Sequence, residues 1–441
     1  MKVVEKTQTL KMFVGGQWVD SESGETFEAV SPATGEVIAS LPKGTRADAV
    51  RALQAASAAR APMAALGAFD RAALLHRIAQ VMETRREDLA RWLTLDQGKP
   101  YKAEALGEVG EAIEYFRIAA EDIKRLETNV IPSMAKNKLV FTLRVPRGVY
   151  ALITPWNWPL TMATELIAPA LAGGNTIVWA PATSTSAISV KLMECLAEAD
   201  LPAGAINLVT GPGSVVGDEI AGHPLTAGVG FVGSTETGRS VARRGAGKHV
   251  MLELGGNGPM VVFADADIGH AVEGAIVGCY LCAGQSCTAG ERILVEESIR
   301  DEFVGRLADA ARALRLGDPF AADTTLGPLN NEGVATKMDE HIADAVKHGA
   351  KLILGGERAN GFPTRLYYHA TILDGVEPSM RVSQEETFGP IAPIIKFRDE
   401  KQALQLANDS PYGLLGPVYT KDLSRALRFA DGLETGWVNI N

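Results

Sequence analysis

The sequence predicts an α/β protein with doubly wound parallel sheets in two domains, interrupted by one short β excursion. Three observations carry this expectation. From Gly148 to about residue 263, short β-prone runs (GVYALITP, NTIVWAP, INLVTG, GVGFVG, GPMVVFA) alternate with helical segments (LTMATELIAPALAGG, SAISVKLMECLAEA, VVGDEIAGH). Strand–helix alternation is the pattern of a parallel sheet covered on both faces. A second alternating set runs from 290 to 430 and includes RILVEE, KLILGG, IAPIIKF and GPVYT. Finally, 441 residues are too many for one simple core, so two or three domains are expected.

In chain order, residues 13 to 42 read as short strands and turns, with FVGGQWVD and SPATGEVIAS supplying Gly and Pro punctuation. From Arg46 to about Lys124 apolar residues recur at three- and four-residue spacing, which predicts helices. TLDQGKP closes one of them with glycine and then proline. Residues 127 to 147 break this regime with two β-prone stretches around the polar turn AKNK, an extended hairpin. No repeat of fixed period and no low-complexity linker is evident.

Composition narrows the function classes. Hydrophobic residues make up 46% of the chain and the net charge is −10, without acidic or basic blocks. A nucleic-acid partner is therefore not expected. No uninterrupted apolar run reaches the ~18 residues of a membrane helix, so no membrane association is expected. The start, MKVVEKTQTLKM, lacks an apolar h-region, which argues against a signal peptide. Four cysteines are sparse usage and suit the reducing cytoplasm.

Three of the four cysteines lie in AIVGCYLCAGQSC. Cys279 and Cys282 have C-x2-C spacing, but no histidine or second cysteine pair lies nearby at zinc-ligand spacing, so no metal is expected. Cys195 sits in a helical pattern and reads as a packed small hydrophobe. Cys287, followed by small and polar residues, is the candidate nucleophile.

Other stretches have two readings each. The glycine-rich junctions TGPGSVVG, with Gly213, and GSTETG, with Gly233 and Ser234, either present N–H groups to a phosphate or are tight turns. Asn157 in TPWNWP either donates to an oxyanion or caps the following helix. Glu253 in LELGGNGP stands in an apolar strand, where a carboxylate is either paired or works as a base. Glu386 in EETFGP is either a ligand-binding acid or an ordinary loop acid.

Taken together, TPWNWP, GSTETG, LELGG, GQSC and EETFGP, in this order, resemble the signature set of the aldehyde dehydrogenase superfamily. The resemblance runs from FVGGQW to GWVNIN, and Glu253 precedes Cys287 by 34 positions, the family's usual interval. It implies a Rossmann-like cofactor domain (1–126 and 148–254), a β oligomerisation hairpin (127–147) and an α/β catalytic domain (255–441). It implies oxidation of a small-molecule aldehyde to a carboxylic acid with NAD or NADP. Cys287 would be the nucleophile, Asn157 the oxyanion donor and Glu253 the base that activates water. Ser234 would contact the pyrophosphate, Glu386 the nicotinamide ribose and Phe388 the nicotinamide. Thr154, Pro155, Trp156, Asn157, Leu254 and Gly255 would line the same cleft, with Gly213 and Gly233 at its glycine turns. Trp158, Met162, Ser286 and Thr288 would line the substrate tunnel and suit an apolar or aromatic aldehyde. A homodimer or homotetramer is implied.

Three departures qualify these expectations. The family pattern V-x-K-P-x-E appears here as VWAPAT, with Ala180 for the lysine and Thr183 for the glutamate that hold the adenosine ribose. Both cofactors are then expected to bind, with NAD weakly favoured and Arg243 or Arg244 as candidate partners for a 2′-phosphate. Leu166 replaces a lysine used by many members in a proton relay. The sequence stops at Asn441, just after GWVNIN, where the family continues with a glycine-rich segment and a tail. Two rival readings are an acylating enzyme, which the presence of Glu253 disfavours, and a catalytically silent relative, which intact Cys287, Asn157 and Glu253 disfavour.

Overall fold

The computed structural model describes residues 7–441. The chain divides into two compact units. The first comprises the chain to Val30, Glu36–Gln97 and Ala105–Glu253; the second comprises Ser31–Gly35, Gly98–Glu104 and Leu254–Asn441.

Among the elements of the first unit are β1 (Met12–Val14), β2 (Gln17–Val19), α1 (Arg46–Ala58), α2 (Arg86–Gln97) and α3 (Leu106–Asp122). Thr45 and Asp48 close the start of α1 as a reciprocal capping box. Next come β3 (Val149–Thr154), α4 (Thr161–Ala172), β4 (Thr176–Pro181), α5 (Ser186–Ala197), β5 (Ile206–Leu208), β6 (Thr226–Val232), α6 (Thr235–Arg244) and β7 (His249–Glu253). The sheet order is β7-β6-β3-β4-β5-β1-β2. The first five strands pair in parallel, and β1 and β2 add antiparallel. Every residue of β4 is buried, which explains its unbroken apolar run TIVWAP. The chain runs from β3 to β4 and β5 on one side, then returns to the other side of β3 with β6 and β7. The strand order therefore reverses between β3 and β6, the place where such sheets open a crevice at their carboxyl ends.

The second unit contains β8 (Pro259–Val262), α7 (Ile268–Tyr280), β9 (Arg292–Glu296), α8 (Glu332–Lys347), β10 (Lys351–Leu354), β11 (Thr371–Asp374), β12 (Ile391–Phe397), α9 (Glu400–Asn408), β13 (Leu415–Tyr419) and β14 (Trp437–Ile440). Its sheet order is β10-β11-β12-β9-β8-β13-β14, parallel except for β10. Arg292 is buried at the start of β9 and donates to the carbonyls of Leu406 and Ala407 near the end of α9, at 2.8 and 2.9 Å. This satisfies carbonyls that a helix end leaves without partners.

Two elements depart from the simple reading of the sequence. Gly98, at φ +101, ends α2 as the GKP signal predicts, but a π-helical turn at Tyr101–Ala105 resumes helix at once and leads into α3. The excursion at 127–147 pairs only Val130–Ile131 with Val140–Phe141, leaving a longer connection than AKNK alone. Val130, Leu139, Leu143 and Val145 are each 70% exposed or more.

Candidate functional site

In the first unit, register brings the singled-out residues to one edge of the sheet. Val232 pairs with Glu253, Phe231 with Ile153, and Thr154 with Pro181, so β7, β6, β3 and β4 end side by side. That edge carries Glu253, then Gly233 and Ser234, then Thr154 to Asn157, then Ala180 to Thr183. The Thr154 hydroxyl accepts the buried Trp179 indole N–H at 2.8 Å, and its carbonyl accepts the Ala182 N–H at 3.0 Å. Ser234 caps α6 by accepting from the Thr237 N–H.

Two local readings are corrected here. Asn157 does not cap the helix after TPWNWP: the cap position is Leu160, which provides no side-chain bond. The buried carboxylate of Glu108 on α3 accepts the N–H groups of Leu160 and Thr161 at 3.0 and 3.3 Å instead. Glu253 is not enclosed in a buried strand, because β7 is the sheet's edge strand and Glu253, its last residue, is half-buried. Two other positions gain a physical account. Leu166 is buried, with a methyl group 3.4 Å from where a Cβ on Gly230 would lie, so it fills space against β6. Arg244 is ion-paired to Asp218 at 2.8 Å. In TGPGSVVG the glycine that the turn requires is Gly211, at φ +141 against Gly44; a Cβ on the exposed Gly213 would meet nothing.

In the second unit the candidate residues sit on loops. Cys287 is half-buried, whereas Cys195, Cys279 and Cys282 are all buried. The loop before it passes through the left-handed region at Cys282, Ala283 and Gly284, with φ of 54°, 53° and 71°. Side chains hold that path: Glu104 accepts the Cys282 N–H at 3.2 Å, and Gln285 donates to the Cys282 carbonyl and accepts from the Asn330 N–H, both at 2.8 Å. Two of the other thiols are chemically quiet. Burial pushes Cys279 well above the usual thiol range and Cys195 up to about 12.

The turn after Glu253 joins these loops. The Gly256 N–H donates to Glu386 at 2.9 Å, and a Cβ on Gly255 would lie 2.9 Å from the same carboxylate. A Cβ on Gly256 would lie 1.9 Å from the Cys287 carbonyl oxygen, so only glycine fits there. Burial raises the Glu386 pKa, and its bond from Gly256 opposes that rise. Ser286 and Thr288, on either side of Cys287, bond to each other at 2.9 Å. Among the described residues no three His, Cys, Asp or Glu side chains are grouped as metal ligands, and no helix is long and apolar enough to cross a membrane.

The profile of the aldehyde dehydrogenase family matches residues 18–441. The chain belongs to this family. It is 41% identical over 431 residues to the glutarate-semialdehyde dehydrogenase of Pseudomonas putida, covering 97% of this chain and 89% of that one. It is 40% identical to the succinate-semialdehyde dehydrogenase [NADP(+)] of Escherichia coli, again covering 97% and 89%. Among solved structures, an NAD-dependent aldehyde dehydrogenase from Sinorhizobium meliloti superposes with a TM-score of 0.96 at 36% identity, covering 98% of this chain and 86% of that one. This aldehyde dehydrogenase is thus an NAD(P)-dependent oxidoreductase acting on aldehydes.

Four polar residues escaped the sequence reading: Glu104, Glu108, Glu291 and His341. All are buried and bond to loops around the assigned residues. For Glu108 there was a usable signal, a carboxylate on the apolar face of LGEVGEAIEYF. The others bond to partners far away in sequence, and no local pattern announces them.

Proposed function

We propose that this aldehyde dehydrogenase converts an aldehyde to a carboxylic acid through a thiohemiacetal and then a thioester on Cys287. One observation carries the reading: the same glycine turn, 255–256, packs on the Cys287 carbonyl and bonds Glu386. The Cys287 thiolate attacks the carbonyl carbon, and the carbonyl π electrons move onto oxygen. The Asn157 amide and the Cys287 N–H donate to that oxyanion. As the oxyanion collapses the carbon loses hydride and a thioester remains. Glu253 takes a proton from water, which adds to the thioester and releases the acid and the Cys287 thiolate.

Bound NAD(P)+ supplies the hydride acceptor. The residues fit such a dinucleotide, because a ten-residue helix, α6, starts beside the reversal point of the sheet with an exposed Ser234 at its cap. In this reading Ser234 and Gly233 hold the pyrophosphate. Glu386 holds the nicotinamide ribose and Phe388 flanks the nicotinamide, with Thr154, Pro155, Trp156, Leu254 and Gly255 lining the cleft. Ala180, Thr183 and Gly213 border the adenosine end. The first unit then serves the cofactor and the second carries the nucleophile. Uncharged Thr183 does not repel a 2′-phosphate, and Arg244 is engaged by Asp218, so both cofactors work with NAD weakly favoured. A preference beyond a hundredfold either way, ~2.7 kcal/mol in kcat/KM, would place the choice elsewhere.

The substrate side carries Trp158, Met162, Ser286 and Thr288. Glu111 accepts from the Thr161 hydroxyl at 3.4 Å at the start of α4, and Glu165 lies one turn beyond Met162. One carboxylate beside this helix and one on it favour an apolar or aromatic aldehyde over one bearing a carboxylate. The rival reading, a semialdehyde as in the named relatives, predicts the opposite ranking in an aldehyde panel. The exposed apolar hairpin supports a homodimer or homotetramer, and free thiols suit the cytoplasm.

The deciding experiment is Glu253→Gln under rapid mixing. One equivalent of reduced cofactor per site followed by a stall supports the scheme; undiminished steady turnover would assign water activation to another base.

A further inference from the structure

Glu291 stands immediately before β9 and is 2% exposed. Both of its oxygens are engaged by one loop. Oε2 accepts the Thr387 N–H at 2.7 Å and Oε1 accepts the Phe388 N–H at 2.6 Å. The Asn257 amide adds a longer bond at 3.4 Å. The loop so held is unusual, because Phe388 has φ +62, a left-handed conformation that a bulky side chain adopts only when its surroundings impose it.

The same loop is gripped from other sides. Fully buried His341 on α8 bonds the Thr387 hydroxyl at 3.0 Å and Glu385 at 3.3 Å. A Cβ on Gly389 would lie 2.5 Å from the Met338 sulfur, and one on Gly284 would lie 2.1 Å from the Gly389 carbonyl. Burial, and then the Glu386 charge, raise the Glu291 pKa, while the two backbone N–H bonds, one to each oxygen, oppose the rise and favour the ionised form. A side chain so costly to bury must be held by the bonds it makes.

We propose that Glu291 is a positioning residue whose carboxylate clamps the Thr387–Phe388 backbone and thereby fixes Glu386 and Phe388 for the nicotinamide half of the dinucleotide. This rests on the assignment of Glu386 and Phe388 to that half. A carboxylate is the right group because both of its oxygens accept. In Glu291→Gln one of the two backbone N–H groups meets an amide NH2, donor against donor, and the loop must move.

Equilibrium titration of the full-length enzyme with NADH and with ADP, which lacks the nicotinamide half, tests the proposal without turnover. Glu291→Gln is expected to weaken NADH at least tenfold while leaving ADP within twofold of wild type. Glu291→Asp, which keeps two acceptors, should fall between, and it decides the matter if the glutamine variant does not fold. Glu386→Gln is the parallel control. If Glu386→Gln weakens NADH and the Glu291 variants do not, or if they weaken NADH and ADP alike, the positioning role is overturned. If neither Glu291 nor Glu386 affects NADH, the assignment of the loop itself fails, and the clamp with it.

Discussion

The two units place their candidate site residues by different means. In the first, Glu253, Ser234 and Asn157 stand at or just beyond the ends of parallel strands, and the ladder aligns those ends. In the second, Cys287, Glu386 and Phe388 stand on loops whose shape depends on buried carboxylates and left-handed backbone. A strand edge is set by many weak, redundant bonds, whereas a pinned loop depends on a few strong ones. Substitutions that spare the chemistry should therefore be felt more in the second unit than in the first.

The largest expected effect comes from the loop side. Cys287→Ala should lower turnover ~10³-fold or more while leaving the melting temperature and cofactor binding near wild type. Retained turnover would remove Cys287 from its role. Asn157→Ala, at the strand edge, should lower kcat by ~10²–10³ with a small change in KM, as for loss of one oxyanion donor. A pure KM effect would show Asn157 to be a binding group.

The next substitution sharpens the contrast, because Glu108 is a pin of the loop type within the first unit. Glu108→Ala should cost ~1–3 kcal/mol in urea unfolding, since two N–H groups at the start of α4 lose a buried acceptor. Glu108→Gln, which keeps one acceptor oxygen, should recover much of that. Equal losses for both would mean that charge, and not the hydrogen bonds, is what α4 needs. Smallest of all, Cys282→Ala should cost ~1 kcal/mol and spare activity, because the backbone path at 282 is held through its N–H and carbonyl. Loss of turnover in that variant would give Cys282 chemistry of its own.

This contrast also accounts for what was legible in the sequence. Strand–helix alternation showed the two α/β regimes because each apolar run is local and periodic. The motif residues at strand ends were findable for the same reason: TPWNWP and GSTETG follow strands directly. Glu291 and His341 were not. Glu291 meets Thr387, which lies 96 residues away, and His341 meets the same threonine from 46 residues off. Long-range pairings of this kind leave no local period to read. The capping reading of Asn157 failed similarly, because the acceptor came from α3, 52 residues before Leu160.

One consequence follows for chemical labelling. Of four thiols, Cys195, Cys279 and Cys282 are buried and Cys287 alone is half-buried. The Cys279 thiol also donates to the Gly290 carbonyl at 3.3 Å. Toward a mild alkylating reagent the folded enzyme should behave as a one-thiol protein. Reagent consumed per chain would then count competent sites in any preparation before a single aldehyde is tried. On unfolding the count should rise to four, which turns the same reagent into a gauge of how much of the sample is native.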